Sequence, residues 1–106
     1  MIEVTYTIAE NAPIASGVYR LKLEGDTSAI TAPGQFLDLR LPGFFLRRPI
    51  SICDWDERSV TLLYKVVGGG TDWLSRCTPG QMLDALSGLG NGFDVGVIFQ
   101  GACREG

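Results

Sequence analysis

Residues 60–71 read V-T-L-L-Y-K-V-V-G-G-G-T. The first eight are mostly β-branched, aliphatic or aromatic, and the next four are three glycines and a threonine. Val60, Leu62, Tyr64 and Val66 alternate with Thr61, Leu63, Lys65 and Val67. Both faces look covered, so 60–67 reads as a strand in the middle of a sheet. The glycines end it and lead into the one credible helix, 71–77. Thr71 is placed to cap that helix, and Asp72 falls in the first turn, where a carboxylate suits the dipole. Pro79-Gly80 closes it.

Working outward, 35–41 (Q-F-L-D-L-R-L) puts Leu37, Leu39 and Leu41 on one face and Asp38 and Arg40 on the other. Pro42-Gly43 ends that strand, and 48–53 forms the next, before a charged turn at 54–58. Further back, 1–9 is rich in β-branched residues, and 11–17, with its proline, reads as a turn. Residues 18–24 alternate Val18, Leu21 and Leu23 against Arg20, Lys22 and Glu24, with Tyr19 interrupting the count. A loop follows at 25–34, where Pro33-Gly34 signals a turn. After the helix, 81–87 is a last strand and 88–92 a loop. Short strands separated by turn signals, with no internal repeat and no linker, make an all-β chain whose best arrangement is a closed antiparallel barrel with one short helix.

Composition sets limits on function. The 106 residues suit one domain, and 45% hydrophobic content supports a core. The net charge of −3 argues against nucleic acid as a partner, because a phosphate backbone needs a basic face. There is no histidine, which excludes Ser-His-Asp and Cys-His catalysis and histidine-ligated metals. Cys53, Cys77 and Cys103 are odd in number, and no pair has C-x-x-C spacing. They outline neither a disulfide framework nor a metal site, and Cys53 and Cys77 read as small core residues. No apolar run is long enough to span a bilayer, and the first residues, M-I-E-V-T-Y-T-I, do not form a signal peptide. The expected setting is cytoplasmic, with no membrane.

Two stretches carry the chemistry. R-R-P-I-S at 47–51 puts a proline on a strand, which places that strand at an edge or a barrel rim. The forked guanidinium of Arg48 suits a pyrophosphate. Ser51 offers a hydroxyl and an amide to a ring nitrogen. From spacing alone, two solvated arginines balancing Asp54 and Asp56 are the simpler reading. G-G-G-T at 68–71 lets backbone amides approach a phosphate, but it is neither a dinucleotide fingerprint nor a P-loop. Alone, it is a flexible turn with an ordinary cap. Taken together, Arg48 and the glycine-led helix can grip one phosphorylated ligand from two sides, with Leu63, Tyr64 and Lys65 on the strand between. In that arrangement Tyr64 packs on a ring or ribose, or belongs to the core, and Lys65 meets a phosphate or solvent.

In order, R-P-I-S at 48–51, L-L-Y-K-V-V-G-G-G-T at 62–71 and L-G-N-G-F at 89–93 resemble the ferredoxin-reductase type of FAD-binding domain. Within that type, F-L-R-R-P-I-S-I-C at 45–53 is similar to the flavin strand of type B dihydroorotate dehydrogenase electron-transfer subunits. The resemblance implies a six-stranded antiparallel Greek-key barrel over residues 1–95. It implies that Arg48 holds the FAD pyrophosphate, and that Pro49, Ile50 and Ser51 line the isoalloxazine, with Ser51 near N5. Leu63, Tyr64 and Lys65 would follow the ribityl and adenosine side, and Gly70 and Thr71 would contact phosphate. No catalytic acid or base and no metal ligand is implied.

In the family, FAD passes electrons between NAD(H) and a [2Fe-2S] cluster. The cluster connects to an FMN-containing dihydroorotate dehydrogenase catalytic subunit, in a heterotetramer serving pyrimidine synthesis. Residues 96–106 lack a glycine-rich phosphate turn, and Cys103 alone cannot hold a cluster. They read as a tail, or as the start of a missing nicotinamide-binding domain. The chain is thus expected to be part of a flavin-dependent oxidoreductase, binding FAD without completing NADH-linked turnover alone. The alternatives are the FAD domain of another flavin-dependent NAD(P)H reductase, or a non-catalytic β-barrel interaction module docking through Phe44, Phe45, Phe93 and Phe99.

Overall fold

Alternating apolar residues become the inward face of six strands. The computed structural model describes residues 2–32, 34–41 and 48–89. The turn expected at Pro42-Gly43, Arg47, the phenylalanine patch, Cys103, most of L-G-N-G-F and the 96–106 tail lie outside the described residues. The elements are β1 (Ile2–Ala15), β2 (Val18–Glu24), β3 (Phe36–Arg40), β4 (Arg48–Trp55), β5 (Ser59–Lys65), α1 (Gly69–Ser75) and β6 (Met82–Leu89).

The strands pair antiparallel in the order β1-β2-β5-β4-β3-β6, and β6 returns to β1 to close a barrel. β3, β4 and β5 form a meander. β2 lies beside β5, and β6 lies beside β3, so the Greek-key pattern occurs twice. Closure leaves no strand at an open sheet edge along its whole length. Tyr6, Leu21, Leu23, Leu37, Leu39, Ile52, Val60, Leu62 and Ala85 have no exposed surface and fill the interior. Each comes from the apolar face that alternation marks. Leu74 of α1 joins the same core, so the helix rests on the barrel.

Four sequence expectations are corrected. β1 does not turn at 11–17 but runs on to Ala15, pairing Ala12 with Arg20, Pro13 with Tyr19 and Ala15 with Val18. Its pairing with β6 ends at Thr7, so Pro13 needs no donor on that side. β4 likewise continues to Trp55, and the turn is confined to 56–58. There the Asp56 carboxylate accepts the Arg58 and Ser59 amides, both at 2.8 Å. β6 runs into the expected loop as far as Leu89, because β3 pairs with it across a register shift.

The helix begins at Gly69, and Thr71 is its third residue rather than its cap. The Thr71 hydroxyl reaches back to accept the Val67 amide at 2.8 Å and the Gly68 amide at 3.2 Å. Two amides that precede the helix are thereby satisfied from within the first turn, and this favours the earlier start.

Candidate functional site

β4 changes partner along its length, pairing with β3 over its first half and with β5 over its second. Its pairs with β5 are Ile52 with Leu62, Asp54 with Thr61 and Trp55 with Val60. Upstream, Arg48, Pro49, Ile50 and Ser51 pair with β3 alone. Pro49 therefore sits on a local edge inside a closed barrel, as its missing N–H requires. The strands part there and leave a groove.

The groove holds about 260 Å³. Arg48, Pro49, Ile50 and Ser51 form one wall, and Leu63, Tyr64 and Lys65 form the other. Val67 and Thr71 line it at the helix end. Eight of the nine residues singled out from sequence meet at this place. Gly70 is not in the lining but lies directly behind it. A Cβ there would stand 3.0 Å from Leu41 Cδ1 and 3.9 Å from Arg48 Cγ and Nε. At Gly68 a Cβ would be 3.5 Å from Arg48 Nη2. The arginine side chain thus passes across backbone that carries no side chains.

Among the described residues, the Arg48 side chain makes no hydrogen bond and no ion pair. Arg48 forms no ion pair with Asp54 or Asp56: the Asp54 carboxylate accepts the Trp55 amide, and Asp56 binds its own turn. The ion pairs of the described residues lie elsewhere, Arg20 with Glu10 and Arg76 with Asp72. An uncompensated guanidinium beside an apolar-lined groove is a seat for an anion attached to an apolar body.

Tyr64 occupies a different place from the one expected of a ligand-stacking ring. It is only 3% exposed, and its ring stacks on Tyr19 with centroids 5.6 Å apart. Its hydroxyl donates to Asn11 Oδ1 at 2.8 Å. Burial pushes that hydroxyl well above its ordinary pKa. Lys65 is exposed at the rim. Ser51 is nearly buried, and its hydroxyl makes no hydrogen bond with a described residue. Sequence reasoning missed Val67, which is 64% exposed at the groove's lip, and Asn11 behind it. Neither carries a local signal, since both owe their place to strands that meet across the barrel.

Two broader depressions exist. One of about 410 Å³ is lined by Lys22, Glu24, Asp56, Glu57, Arg58 and Ser59, where acidic groups outnumber basic ones. Another of about 430 Å³ includes Arg40 and Asp84, whose opposite charges offset each other. Neither joins an unpaired cation to glycine backbone.

No family model matches the sequence. The dihydroorotate dehydrogenase B (NAD(+)) electron transfer subunit of Listeria innocua is 40% identical over 102 residues, covering 92% of this chain and 40% of that protein. The same subunit of Streptococcus mutans is 37% identical over 105 residues, covering 95% of this chain and 41% of its own length. This chain is a homologue of those electron-transfer subunits. It spans about two-fifths of the length of the curated relatives it matches.

The fold comparison agrees. A NADH-dependent reduced ferredoxin–NADP oxidoreductase, solved for insight into flavin-based electron bifurcation, superposes with a TM-score of 0.74 at 29% identity. The match covers 84% of this chain and 34% of that one. The barrel is therefore of the ferredoxin-reductase type. The homology to the electron-transfer subunits and the barrel topology are as the sequence motifs led one to expect. Among the described residues no helix is long and apolar enough to cross a membrane.

Proposed function

We propose that this chain is the FAD-binding domain of a dihydroorotate dehydrogenase B electron-transfer subunit, with the barrel over residues 1–95 as its unit. The observation that carries the reading is the groove where β4 leaves β5, with the unpaired Arg48 at one end. Bound there, FAD would supply two-electron chemistry at its ring that no side chain of this histidine-free chain offers.

The chain's own residues then bind and orient. Arg48 holds the diphosphate with its forked donors, lying on glycine backbone that leaves room for it. Pro49, Ile50 and Ser51 pack along the ring and keep water from it, and the Ser51 hydroxyl is a donor for a ring nitrogen. Leu63, Tyr64 and Lys65 flank the ribityl and adenosine portion, Tyr64 as a fixed wall held by its own hydrogen bond. Gly70 and Thr71 meet phosphate. The Thr71 hydroxyl is already engaged with Val67 and Gly68, so its contribution to phosphate is through the backbone.

The whole protein's activity belongs to the same proposal. Electrons from dihydroorotate oxidation in an FMN-containing catalytic subunit would reach NAD through this flavin in cytoplasmic pyrimidine synthesis. The [2Fe-2S] cluster and the nicotinamide site would come from regions of the relatives that this chain does not match. The direct test is to refold or purify the chain with FAD, desalt it and record the visible spectrum. A flavin spectrum that stays with the protein is expected, and a colourless protein overturns the reading.

A further inference from the structure

Asn11 lies outside the groove, yet it touches what stands behind both of its walls. Its Nδ2 donates to the Leu74 carbonyl at 2.8 Å and to the Cys77 carbonyl at 3.0 Å. Those carbonyls lie in the last turn of α1 and just past its end, and the helix's other end carries Gly70 and Thr71. Its Oδ1 accepts the Tyr64 hydroxyl at 2.8 Å. Tyr64 sits between Leu63 and Lys65 on the opposite wall and is braced by Tyr19 from β2. One side chain on β1 therefore joins the helix to the β5 wall.

No other side-chain hydrogen bond among the described residues ties α1 to the barrel. The remaining side-chain bonds of the helix are to its own turns or to the link before it. Apolar packing of Leu74 holds the helix down, but packing is non-directional and does not fix its rotation along the surface. The directed bonds of Asn11 do. The carboxamide suits this task because it offers two donors and an acceptor on one short stem. Leucine keeps the volume, loses both donors and the acceptor, and adds no charge.

We propose that Asn11 is a positioning residue for the flavin site. It fixes the helical wall against the β5 wall, so that Gly70 and Thr71 stand where a diphosphate held by Arg48 would lie. This rests on the FAD reading above. It adds a residue that touches no part of the ligand and acts mainly at its phosphate end, because Tyr64 stays braced by Tyr19 when the helix is released.

The test compares two flavins on the full chain. FAD carries the diphosphate, and riboflavin carries the ring and ribityl chain alone. Asn11→Leu is expected to lower FAD affinity by about tenfold or more, the scale of a lost hydrogen-bonded arrangement. Riboflavin affinity should stay within about twofold of wild type, which is below the effect of one net hydrogen bond. Equal losses for both flavins, or no loss for FAD, would overturn the inference, because a merely structural role cannot separate them. Should Asn11→Leu fail to fold, Asn11→Ala removes the same bonds with a smaller side chain and decides by the same ratio. If the wild-type chain binds neither flavin, the functional reading has failed and this inference with it. If wild type binds FAD and the ratio is unmoved, the inference alone has failed.

Discussion

The Arg48 guanidinium lies over Gly68, where a Cβ would come within 3.5 Å of Nη2. Strand β4 thus lays its one groove-side cation on the glycine run that opens α1, twenty residues further along the chain. The two motifs that were separate in sequence are in contact.

That contact makes Arg48 the side chain on which anion binding should depend. Arg48→Ala is expected to weaken FAD binding by about 1.5–3 kcal/mol, the range for hydrogen bonds to charged groups. Arg48→Lys should fall between, since an ammonium keeps the charge and loses the fork. Titration of flavin fluorescence measures both. Unchanged affinity in Arg48→Ala would reduce the residue to a surface charge.

A second close approach concerns stability alone. A Cβ on Gly25 would lie 2.6 Å from Tyr6 Cδ1 and 3.1 Å from Cε1. Tyr6 has no exposed surface, and its hydroxyl donates to the Asp26 carbonyl at 2.7 Å, so the ring cannot swing aside without breaking that bond. Gly25→Ala should destabilise the fold by about 1–3 kcal/mol, as overpacking does. A urea midpoint equal to that of wild type would show that the ring yields freely.

Acid should loosen the β4–β5 turn. Asp56 accepts the Arg58 and Ser59 amides and the Ser59 hydroxyl, and these bonds hold its carboxyl below the usual range. A depressed folded pKa contributes stability above the unfolded value, near 3.9 for aspartate, about where its loss begins as pH falls. The loss is complete below the lower folded value. Thermal melts should therefore show Asp56→Ala less stable than wild type at neutral pH, with the gap shrinking through that window. A gap that persists unchanged into strong acid would mean that the carboxylate's charge plays no part.

Much of this was readable along the chain. The alternation of Leu37, Leu39 and Leu41 against Asp38 and Arg40 announced β3, and the buried leucines are those it marked. Arg48 to Ser51 and Leu63 to Lys65 could be grouped from motif order, and they line one groove. Other features were not. Pro13 looked like a turn, but half of β1 has no partner on one side, and a proline costs nothing there. Thr71 looked like a cap, but the glycines let the helix start before it. Tyr64 looked available to a ligand, but Asn11, 53 residues away, takes its hydroxyl.

The sequence by itself determined which faces of the strands turn inward and which residue types line the groove. Those are properties of neighbours, fixed by the pleat and by the chemistry of single side chains. Only the tertiary structure decided that β2 lies against β5, that β4 stands apart from β5 upstream of Ile52, and that Asn11 ties a helix to Tyr64. These depend on register between distant segments. Closing the barrel settles them all together, and no local pattern contains that information.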